Sequence, residues 1–365
     1  MFLQKLTLFN FKNYVEAEFE FCPGINCLIG DNGVGKTNVL DAVHYLSLCK
    51  SCTNAADSQN IRYDSEGFVI QGEYLRDGKP ETLSCGVRMR QKKVFKRNKK
   101  EYERLADHIG LFPVVMVSPM DNGLISDGGE ERRRFMNEVI SQYDTAYLAH
   151  LLQYNRTLMQ RNSMLKQAAE RRMAPDPGVL DALDMQLALH GQEIFAARQA
   201  FCETLVPVFQ QYYRTISDNG ETVTLTYRSQ LQQAPLYDLL KQNLEKDRIL
   251  EHTSTGIHRD DLLLEMDGYP IRRAGSQGQQ KTYLTALRLA DYDFIRSHGT
   301  VRPILLLDDI FDKFDAKRVG RIMRLVSQDH FGQVFITDTD EKRLQPILQD
   351  MACPSRVIRL EKNPA

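Results

Sequence analysis

The feature that most constrains this chain is a phosphate-binding loop near its start. The segment Gly30–Thr37 matches the pattern G-x-x-x-x-G-K-[ST] at every fixed position, and its glycines let successive backbone N–H groups point at phosphate oxygens. The apolar stretch Ile25–Ile29 before the loop predicts a strand, and the spacing of apolar residues after Gly35 predicts a helix. This order predicts a nucleoside triphosphate site, with Lys36 on the β- and γ-phosphates and Thr37 on Mg²⁺. The residues assigned to the nucleotide are Gly30, Asp31, Asn32, Gly33, Val34, Gly35, Lys36 and Thr37.

A second apolar stretch, much further along the chain, ends in two carboxylates. Ile304–Leu307 predicts a buried strand, and Asp308 and Asp309 follow it directly. In a P-loop ATPase the first acid would hold Mg²⁺ and the second would act as general base on the attacking water. Without the P-loop, a buried strand ending in a turn would explain the same residues equally well. Most of the chain separates Lys36 from Asp308, which suits a nucleotide-binding core split by an insertion.

A serine- and glycine-containing turn precedes the acidic strand. Gly275–Lys281 stands before a predicted helix, and Ser276, Gly278 and Gln279 give it the pattern S-x-G-Q. Such a turn at a helix N-terminus makes an anion site, although the serine could also be a plain N-cap. ABC-type ATPases use S-x-G-Q to grip the γ-phosphate held by the opposite subunit. We therefore expect a catalytic role for Ser276 in trans and a homodimer that forms with ATP. Asp312–Asp315 stands where these ATPases have a dimer contact.

The middle of the chain has a helical pattern on both sides of a break. Seven-residue spacing relates the apolar positions of each side, which are Leu151, Leu158 and Leu165, then Leu180, Leu187, Ile194, Phe201 and Val208. Proline and glycine in Met173–Gly178 interrupt the helix. The pattern predicts an antiparallel coiled-coil hairpin, with two ordinary amphipathic helices of a bundle as the alternative.

Together these features predict the fold class. We expect an α/β fold, an ABC-type P-loop ATPase head split by a short antiparallel coiled-coil arm. The predicted parts are residues 1–125 for the N-terminal part of the head, 126–250 for the arm, and 251–365 for the C-terminal part of the head with the S-x-G-Q turn and the acidic strand.

Six strings in this sequence resemble those of the RecF family, the short-armed relatives of the SMC proteins. Besides the P-loop, the S-x-G-Q turn and the acidic strand, the resemblance is carried by Asn10–Tyr14, Glu131–Phe135 and Gly256–Asp261, and it covers essentially the whole chain. The strings N-F-K-N-Y and G-x-H-R-D-D are more specific than a P-loop. Ile257 stands where the family usually has proline, and Gly275 where many ABC heads have leucine.

The resemblance implies a function that the spacing of residues does not. It implies an ATP-dependent dimer that binds single- and double-stranded DNA. It also implies that RecR and RecO mediators are partners in loading recombinase at gaps and stalled forks. These activities belong to recombination, the SOS response and the maintenance of replication forks. The resemblance also places Lys12 and Asn13 at the nucleotide. ATP hydrolysis should be weak and serve as a switch, because Thr337 or Asp338 replaces the usual switch histidine and Asp121 is the candidate Mg²⁺ ligand in place of a Q-loop glutamine.

DNA contact has to come from a local basic surface, because the formal net charge of the chain is −1. The segment Arg88–Arg104 is rich in basic residues, with Phe95 and Tyr102 between them. Such a run can bind phosphates without regard to sequence, or it can be a solvated hairpin that turns at 97–100. Arg132–Arg134 could make ion pairs at the base of the arm. His258 and Arg259 could belong to a structural network or to the nucleotide or dimer interface.

The remaining features narrow the class of protein. The chain has no apolar run near the roughly 20 residues that span a bilayer, so we expect no membrane role and a cytoplasmic location. Its seven cysteines form no dense framework; Cys49 and Cys52 make one C-x-x-C that could bind a metal or could simply be small residues near a helix end. Two alternatives are less favoured. The short arm and the N-F-K-N-Y string argue against the soluble ATP-binding subunit of an ABC transporter, and the S-x-G-Q turn and the distant Asp308 argue against a small-molecule P-loop kinase.

Overall fold

A computed structural model describes residues 1–217, 220–312, 314–349 and 353–361. The chain forms two compact units. The first contains residues 1–121, 212–219 and 276–365, and the second contains residues 122–211 and 220–275. Residues 251–275, which the sequence analysis assigned to the head, therefore group with the predicted arm. Among the described residues, no helix is both long enough and apolar enough to cross a membrane.

The strands and helices are numbered in chain order. The strands are β1 (Phe2–Phe11), β2 (Tyr14–Glu20), β3 (Ile25–Ile29), β4 (Gly67–Arg76), β5 (Lys79–Arg88), β6 (Val94–Arg97), β7 (Lys100–Glu101), β8 (Val114–Val117), β9 (Val223–Arg228), β10 (Asp261–Met266), β11 (Tyr269–Pro270), β12 (Ile304–Leu307), β13 (Val334–Asp338) and β14 (Ser355–Arg359). The α-helices are α1 (Lys36–Leu48), α2 (Asn122–Ser126), α3 (Gly129–Ser141), α4 (Thr145–Glu170), α5 (Pro177–Ser217), α6 (Leu236–Gln242), α7 (Leu244–Leu250), α8 (Ile271–Ala274), α9 (Gln277–His298), α10 (Ala316–Val326) and α11 (Glu341–Gln349).

A parallel sheet with the order β14-β3-β13-β12-β8 forms the centre of the first unit. All residues of β3, β8, β12 and β13 are buried, as expected for strands of a parallel sheet covered on both faces. The strands predicted at 25–29 and 304–307 are confirmed at those bounds. Because the strands are parallel, the P-loop after β3, the acids after β12 and the end of β13 meet at one edge of the sheet.

An antiparallel sheet, β2-β1-β4-β5-β6-β7, completes the first unit. Leu3, Leu6 and Leu8 of β1 point into the core, whereas Phe9 is 48% exposed because alternation along the strand turns it outward. Helix α1 packs against this sheet, and Gly72 of β4 allows the close approach of the helix, since a Cβ there would lie 2.7 Å from Leu46 Cδ1.

The second unit contains the predicted arm. Helices α4 and α5 run antiparallel, because partners on α4 are met in reverse order along α5: Tyr147 with Arg198, His150 with His190, Thr157 with Gln186 and Arg161 with Asp184. Helix α7 also packs on α4, so the hairpin has some character of the bundle alternative. The unit also contains the three-stranded antiparallel sheet β11-β10-β9, with a turn at 267–268 between β10 and β11.

One helix of the arm differs from the prediction. The helical stretch expected before the break is divided into α3 and α4, and Asp144 caps α4 by accepting a hydrogen bond from the Tyr147 N–H at 2.8 Å. The break predicted at Met173–Gly178 is confirmed, because α4 ends at Glu170 and α5 begins at Pro177, where the first helical residue needs no N–H donor.

Candidate nucleotide-binding site

The P-loop has the backbone conformation that its glycines make possible. Gly33 and Gly35 have φ angles of 83° and 110°, which residues with a Cβ rarely adopt. A Cβ on Gly35 would also lie 2.6 Å from Asn13 Nδ2. Helix α1 begins at Lys36, so the N-terminus of the helix faces the loop. The Lys36 ammonium donates to the carbonyl oxygens of Gly30 at 2.6 Å and Asp31 at 2.9 Å, and burial lowers its pKa from the ordinary value.

Thr37 and Asp308 meet although most of the chain lies between them. Thr37 Oγ1 lies 2.9 Å from Asp308 Oδ2 and 3.1 Å from Oδ1. Thr337 Oγ1 donates to Asp308 Oδ1 at 2.8 Å. The Asp308 carboxyl is buried, and burial raises its pKa above the ordinary value. A threonine hydroxyl beside a carboxylate is the set of hard oxygen ligands that Mg²⁺ prefers, so the side chains present fit the predicted cation.

Asp309 differs from Asp308 in exposure and backbone conformation. Its side chain is exposed, and its φ of 48° is left-handed. Its N–H donates to Thr337 Oγ1 at 2.8 Å. Thr337 thus contacts both acids, whereas Asp338, the other candidate for the switch position, is buried and forms an ion pair with Arg343 at 3.5 Å. Because the carboxylate of Asp309 is exposed next to the buried Asp308, it is the one accessible to water.

The two N-terminal candidates have different surroundings. Asn13 Nδ2 donates to the Val34 carbonyl at 3.0 Å, so Asn13 supports the P-loop. Lys12 instead forms an ion pair with the buried Asp41 at 2.5 Å. The predicted contact of Lys12 with nucleotide would require this ion pair to open. Tyr14, which the sequence analysis did not single out, donates to the Gly35 carbonyl at 3.2 Å.

The S-x-G-Q turn begins α9 as predicted. Ser276 Oγ accepts a hydrogen bond from the Gln279 N–H at 3.3 Å, and Gln279 Oε1 accepts one from the Ser276 N–H at 2.8 Å. This capping box is the N-cap alternative, and it occupies the serine oxygen only as an acceptor. A Cβ on Gly278 would lie 3.2 Å from Arg318 Nη1. The role of Ser276 in trans stays a prediction.

The geometry argues against Asp121 as a magnesium ligand. Its Oδ1 accepts a hydrogen bond from Arg288 Nη2 at 2.6 Å, and its Oδ2 accepts one from the Ser118 N–H at 2.8 Å. Asp121 is buried in these contacts. Both oxygens therefore already bind protein donors, one of them an arginine whose positive charge opposes a nearby cation.

The basic segment Arg88–Arg104 forms a hairpin that turns at 97–100, as in the second of the two interpretations of its sequence, and most of its charged side chains are exposed. Asn98 and Lys99, with φ angles of 50° and 70°, form the turn between β6 and β7, as in a type I′ hairpin. Lys93 forms an ion pair with Asp57, and Arg97 forms one with Glu81. The remaining basic residues are exposed, namely Arg88, Arg90, Lys92, Lys96, Lys99, Lys100 and Arg104.

The G-x-H-R-D-D string lies in the second unit and forms a structural network there. Asp260 is buried and forms an ion pair with Arg198 at 2.7 Å. His258 Nδ1 lies 2.9 Å from the Tyr154 hydroxyl, and burial lowers the pKa of His258 to about 4. Arg132 forms the expected ion pair, with Asp261 at 2.6 Å. Arg259 is exposed, and an interface role for it stays a prediction.

The C-x-x-C cysteines have separate surroundings. Cys49 is buried and has its pKa raised to about 12 by burial. Cys52 lies in a cluster with Asp41 and His44 whose ligand atoms are within 4.8 Å of one another. The Asp41 oxygens already accept hydrogen bonds from the Cys52 N–H and Ser51 and pair with the Lys12 ammonium. A cation there would meet a carboxylate that is already neutralised, so we assign no metal to this cluster.

The fold and the site define an ABC-type P-loop ATPase head with a coiled-coil arm, and comparisons identify its family. Residues 2–353 match the model of the RecF/RecN/SMC N terminal domain. The chain is 50% identical over 362 residues to the DNA replication and repair protein RecF of Parabacteroides distasonis, covering 99% of this chain and 98% of that protein. The RecF of Phocaeicola vulgatus is 49% identical over 363 residues, covering 99% and 97%. The chain therefore belongs to the RecF family of SMC-like ATPases.

Solved structures agree with this assignment. The recombination mediator protein RecF-ATPrS of the RecFOR pathway is similar with a TM-score of 0.87 and 28% identity, covering 99% of this chain and 96% of that one. RecF-ATP of the same pathway has a TM-score of 0.86 and 30% identity, covering 93% and 92%. The Smc head domain from Pyrococcus furiosus has a TM-score of 0.58 at 15% identity, with coverage of 99% and 94%, and shares the fold. The predicted resemblance and fold class are confirmed.

Proposed function

We propose that this protein is an ATP-driven dimer that binds DNA in recombinational repair and replication-fork maintenance. The observation that carries the proposal is that Thr37 Oγ1, next to Lys36 in the P-loop, lies 2.9 Å and 3.1 Å from the two carboxylate oxygens of Asp308. This contact brings two distant parts of the chain together into a site that suits a triphosphate and Mg²⁺. Relatives at about half identity are named DNA replication and repair protein RecF. Similar structures are described as a recombination mediator in the RecFOR pathway, which supports RecR and RecO as partners, recombinase loading at gaps, and a cytoplasmic location.

Each side chain at the sheet edge has a role in this proposal. The loop amides and Lys36 hold the β- and γ-phosphates, and Thr37 and Asp308 hold Mg²⁺. Bound Mg²⁺-ATP supplies the phosphoryl group and the charge neutralisation for its transfer to water. Asp309 accepts the proton of that water. Ser276 caps α9 and presents the S-x-G-Q turn to the γ-phosphate that the second copy holds. Turnover is slow in this scheme, because a threonine stands where a histidine would take part in charge stabilisation.

The dimerisation step can be tested at Ser276. We expect ATP with Mg²⁺ to convert wild-type protein from monomer to dimer in sedimentation velocity, and ADP to leave it monomeric. Ser276→Arg should stay monomeric with ATP, because the bulky cation would fill the space of the γ-phosphate held by the other copy. Ser297→Arg, at an exposed position near the other end of α9, is the matched control and should dimerise. Equal ATP-induced dimerisation of both variants would exclude the role of Ser276 in trans.

The exposed basic hairpin is the proposed DNA contact. Seven exposed basic side chains on one segment favour phosphate binding. Phe95 is 1% exposed and packs in the core of the first unit, so it cannot stack on a base. With Phe95 buried and Tyr102 half-buried against the same core, the hairpin should contact the backbone of single- and double-stranded DNA without sequence preference.

Because the proposed DNA-binding species is the dimer that ATP forms, DNA binding is expected to require ATP. Because the proposed contacts are to phosphates, the affinity for DNA should weaken steeply with salt. Fluorescence anisotropy on a duplex with a single-stranded gap should give tighter binding with ATP than with ADP. The paired change Lys99→Gln with Lys100→Gln should lower the slope of log K against log salt by about 2. Lys166→Gln with Lys342→Gln removes the same charge from two other exposed positions and should leave the slope unchanged. Identical binding with ATP and ADP would contradict the proposed function; identical slopes for the two pairs would contradict the hairpin contact.

A further inference from the structure

Lys281, the last residue of the S-x-G-Q segment and part of α9, contacts the segment that follows the acidic strand. Its Nζ donates to the backbone carbonyl of Asp309 at 3.3 Å and to that of Asp312. The same ammonium lies 5.2 Å from the centroid of the Phe314 ring, within the range of a cation–π contact. One side chain therefore contacts the start, the middle and the end of the stretch between β12 and α10.

This stretch needs external support because of the conformation of Asp309. A φ of 48° is unfavourable for a residue with a Cβ. The N–H of Asp309 donates to Thr337 Oγ1 at 2.8 Å, and its carbonyl oxygen accepts from Lys281. The backbone of Asp309 is thus held on its amide side from β13 and on its carbonyl side from α9. A left-handed residue held on both sides can keep its carboxylate in one direction.

We propose that Lys281 is a positioning residue for ATP hydrolysis, which fixes the segment after β12 so that the Asp309 carboxylate points to the attacking water. This inference rests on the proposed function, in which Asp309 is the general base. Lys281 acts through the backbone of this segment, because its ammonium donates to the carbonyl oxygens of Asp309 and Asp312. Because α9 begins directly after Ser276, Lys281 also ties the helix of the S-x-G-Q turn to the segment with the base.

The contact itself can be measured without nucleotide. Hydrogen–deuterium exchange of the nucleotide-free protein should be faster in the peptide covering residues 309–315 for Lys281→Met than for wild type, by about tenfold or more. Lys281→Arg keeps a donor of similar reach and should restore most of the protection. Lys342→Met, at an exposed lysine on α11, is the matched control and should exchange like wild type. Unchanged exchange in Lys281→Met would overturn the proposal.

The role in catalysis is separated from nucleotide binding by kinetics. Lys281→Met should lower kcat about tenfold, since a displaced general base loses part of its contribution. The affinity for a fluorescent ATP analogue should stay within about twofold, because the P-loop is untouched, and Lys281→Arg should recover kcat. A loss of ATP affinity that matches the loss of kcat would overturn the positioning role. If wild type hydrolyses no ATP, the proposed ATPase function fails, while the exchange experiment still decides whether Lys281 holds the segment.

Discussion

Asp309→Asn is expected to slow ATP hydrolysis by about 10²–10⁴-fold while ATP binding and ATP-dependent dimerisation persist. The reason is that an amide cannot accept the proton of the attacking water, whereas it has nearly the shape of the carboxylate. Asp308 cannot replace it, because its oxygens accept hydrogen bonds from Thr37 and Thr337 and its carboxyl is buried. Single-turnover hydrolysis of radiolabelled ATP is the measurement, since it reports the chemical step even when steady-state turnover is slow.

Asp329→Asn provides the control for this experiment. Asp329 follows α10, outside the segments assigned to the nucleotide and the dimer contact, and is exposed, and its contact with Arg302 is made by its backbone carbonyl, which the substitution preserves. We expect its hydrolysis rate to stay within a few-fold of wild type. Wild-type turnover in Asp309→Asn would show that another group takes the proton, and a parallel loss of ATP binding would show that Asp309 holds the nucleotide or the cation instead.

Arg161→Ala is expected to destabilise the second unit by about 3–5 kcal/mol, the range for breaking a buried ion pair on one side. Arg161 is fully buried. It binds Asp184 of α5 and Asp247 of α7, both at 2.7 Å, and donates to Thr253 at 2.9 Å. Alanine would leave two buried carboxylates without their main counter-charge. One side chain thus joins three helices of the arm.

Urea denaturation followed by circular dichroism should resolve this effect. The transition of the second unit should move to lower urea concentration, and a probe in the first unit should move less, because Arg161 and its partners all lie in the second unit. Arg156→Ala changes an exposed arginine on the same helix and should alter the free energy of unfolding by no more than about 0.5 kcal/mol. An equally small effect of Arg161→Ala would mean that the buried network contributes specificity rather than stability.

Local patterns predicted the parts of the site that depend on one segment. The strands at 25–29 and 304–307 are continuous apolar runs bounded by glycine or acids, and the P-loop pattern fixes its own backbone, so these elements were predictable residue by residue. The break at Met173–Gly178 was predictable in the same way, and Asp176 shows where it ends, because its carboxylate accepts hydrogen bonds from the N–H groups of Gly178 and Val179 at the start of α5.

Pairings across the chain could not be predicted in this way. Asp121 was assigned to Mg²⁺ because its sequence position suited a Q-loop. In the fold, however, Arg288, far along the chain, donates a hydrogen bond to the Asp121 carboxylate. Lys12 is the same case, since only the fold brings Asp41 within 2.5 Å of its ammonium. Lys281 was visible as part of the S-x-G-Q segment, yet nothing in the sequence indicated that its ammonium meets backbone carbonyls, because carbonyl oxygens carry no sequence signal.

The strand order of the parallel sheet has a consequence for synthesis on the ribosome. β3, which leads into the P-loop, pairs only with β13 and β14, and β8 pairs only with β12 among the described strands. The first third of the chain therefore leaves the exit tunnel with two strands of this sheet that have no neighbour yet. Such edges are templates for aggregation, and they stay open until β12 and β13 have been translated. A message truncated before residue 304 would thus yield a product with a complete P-loop motif and no sheet to hold it.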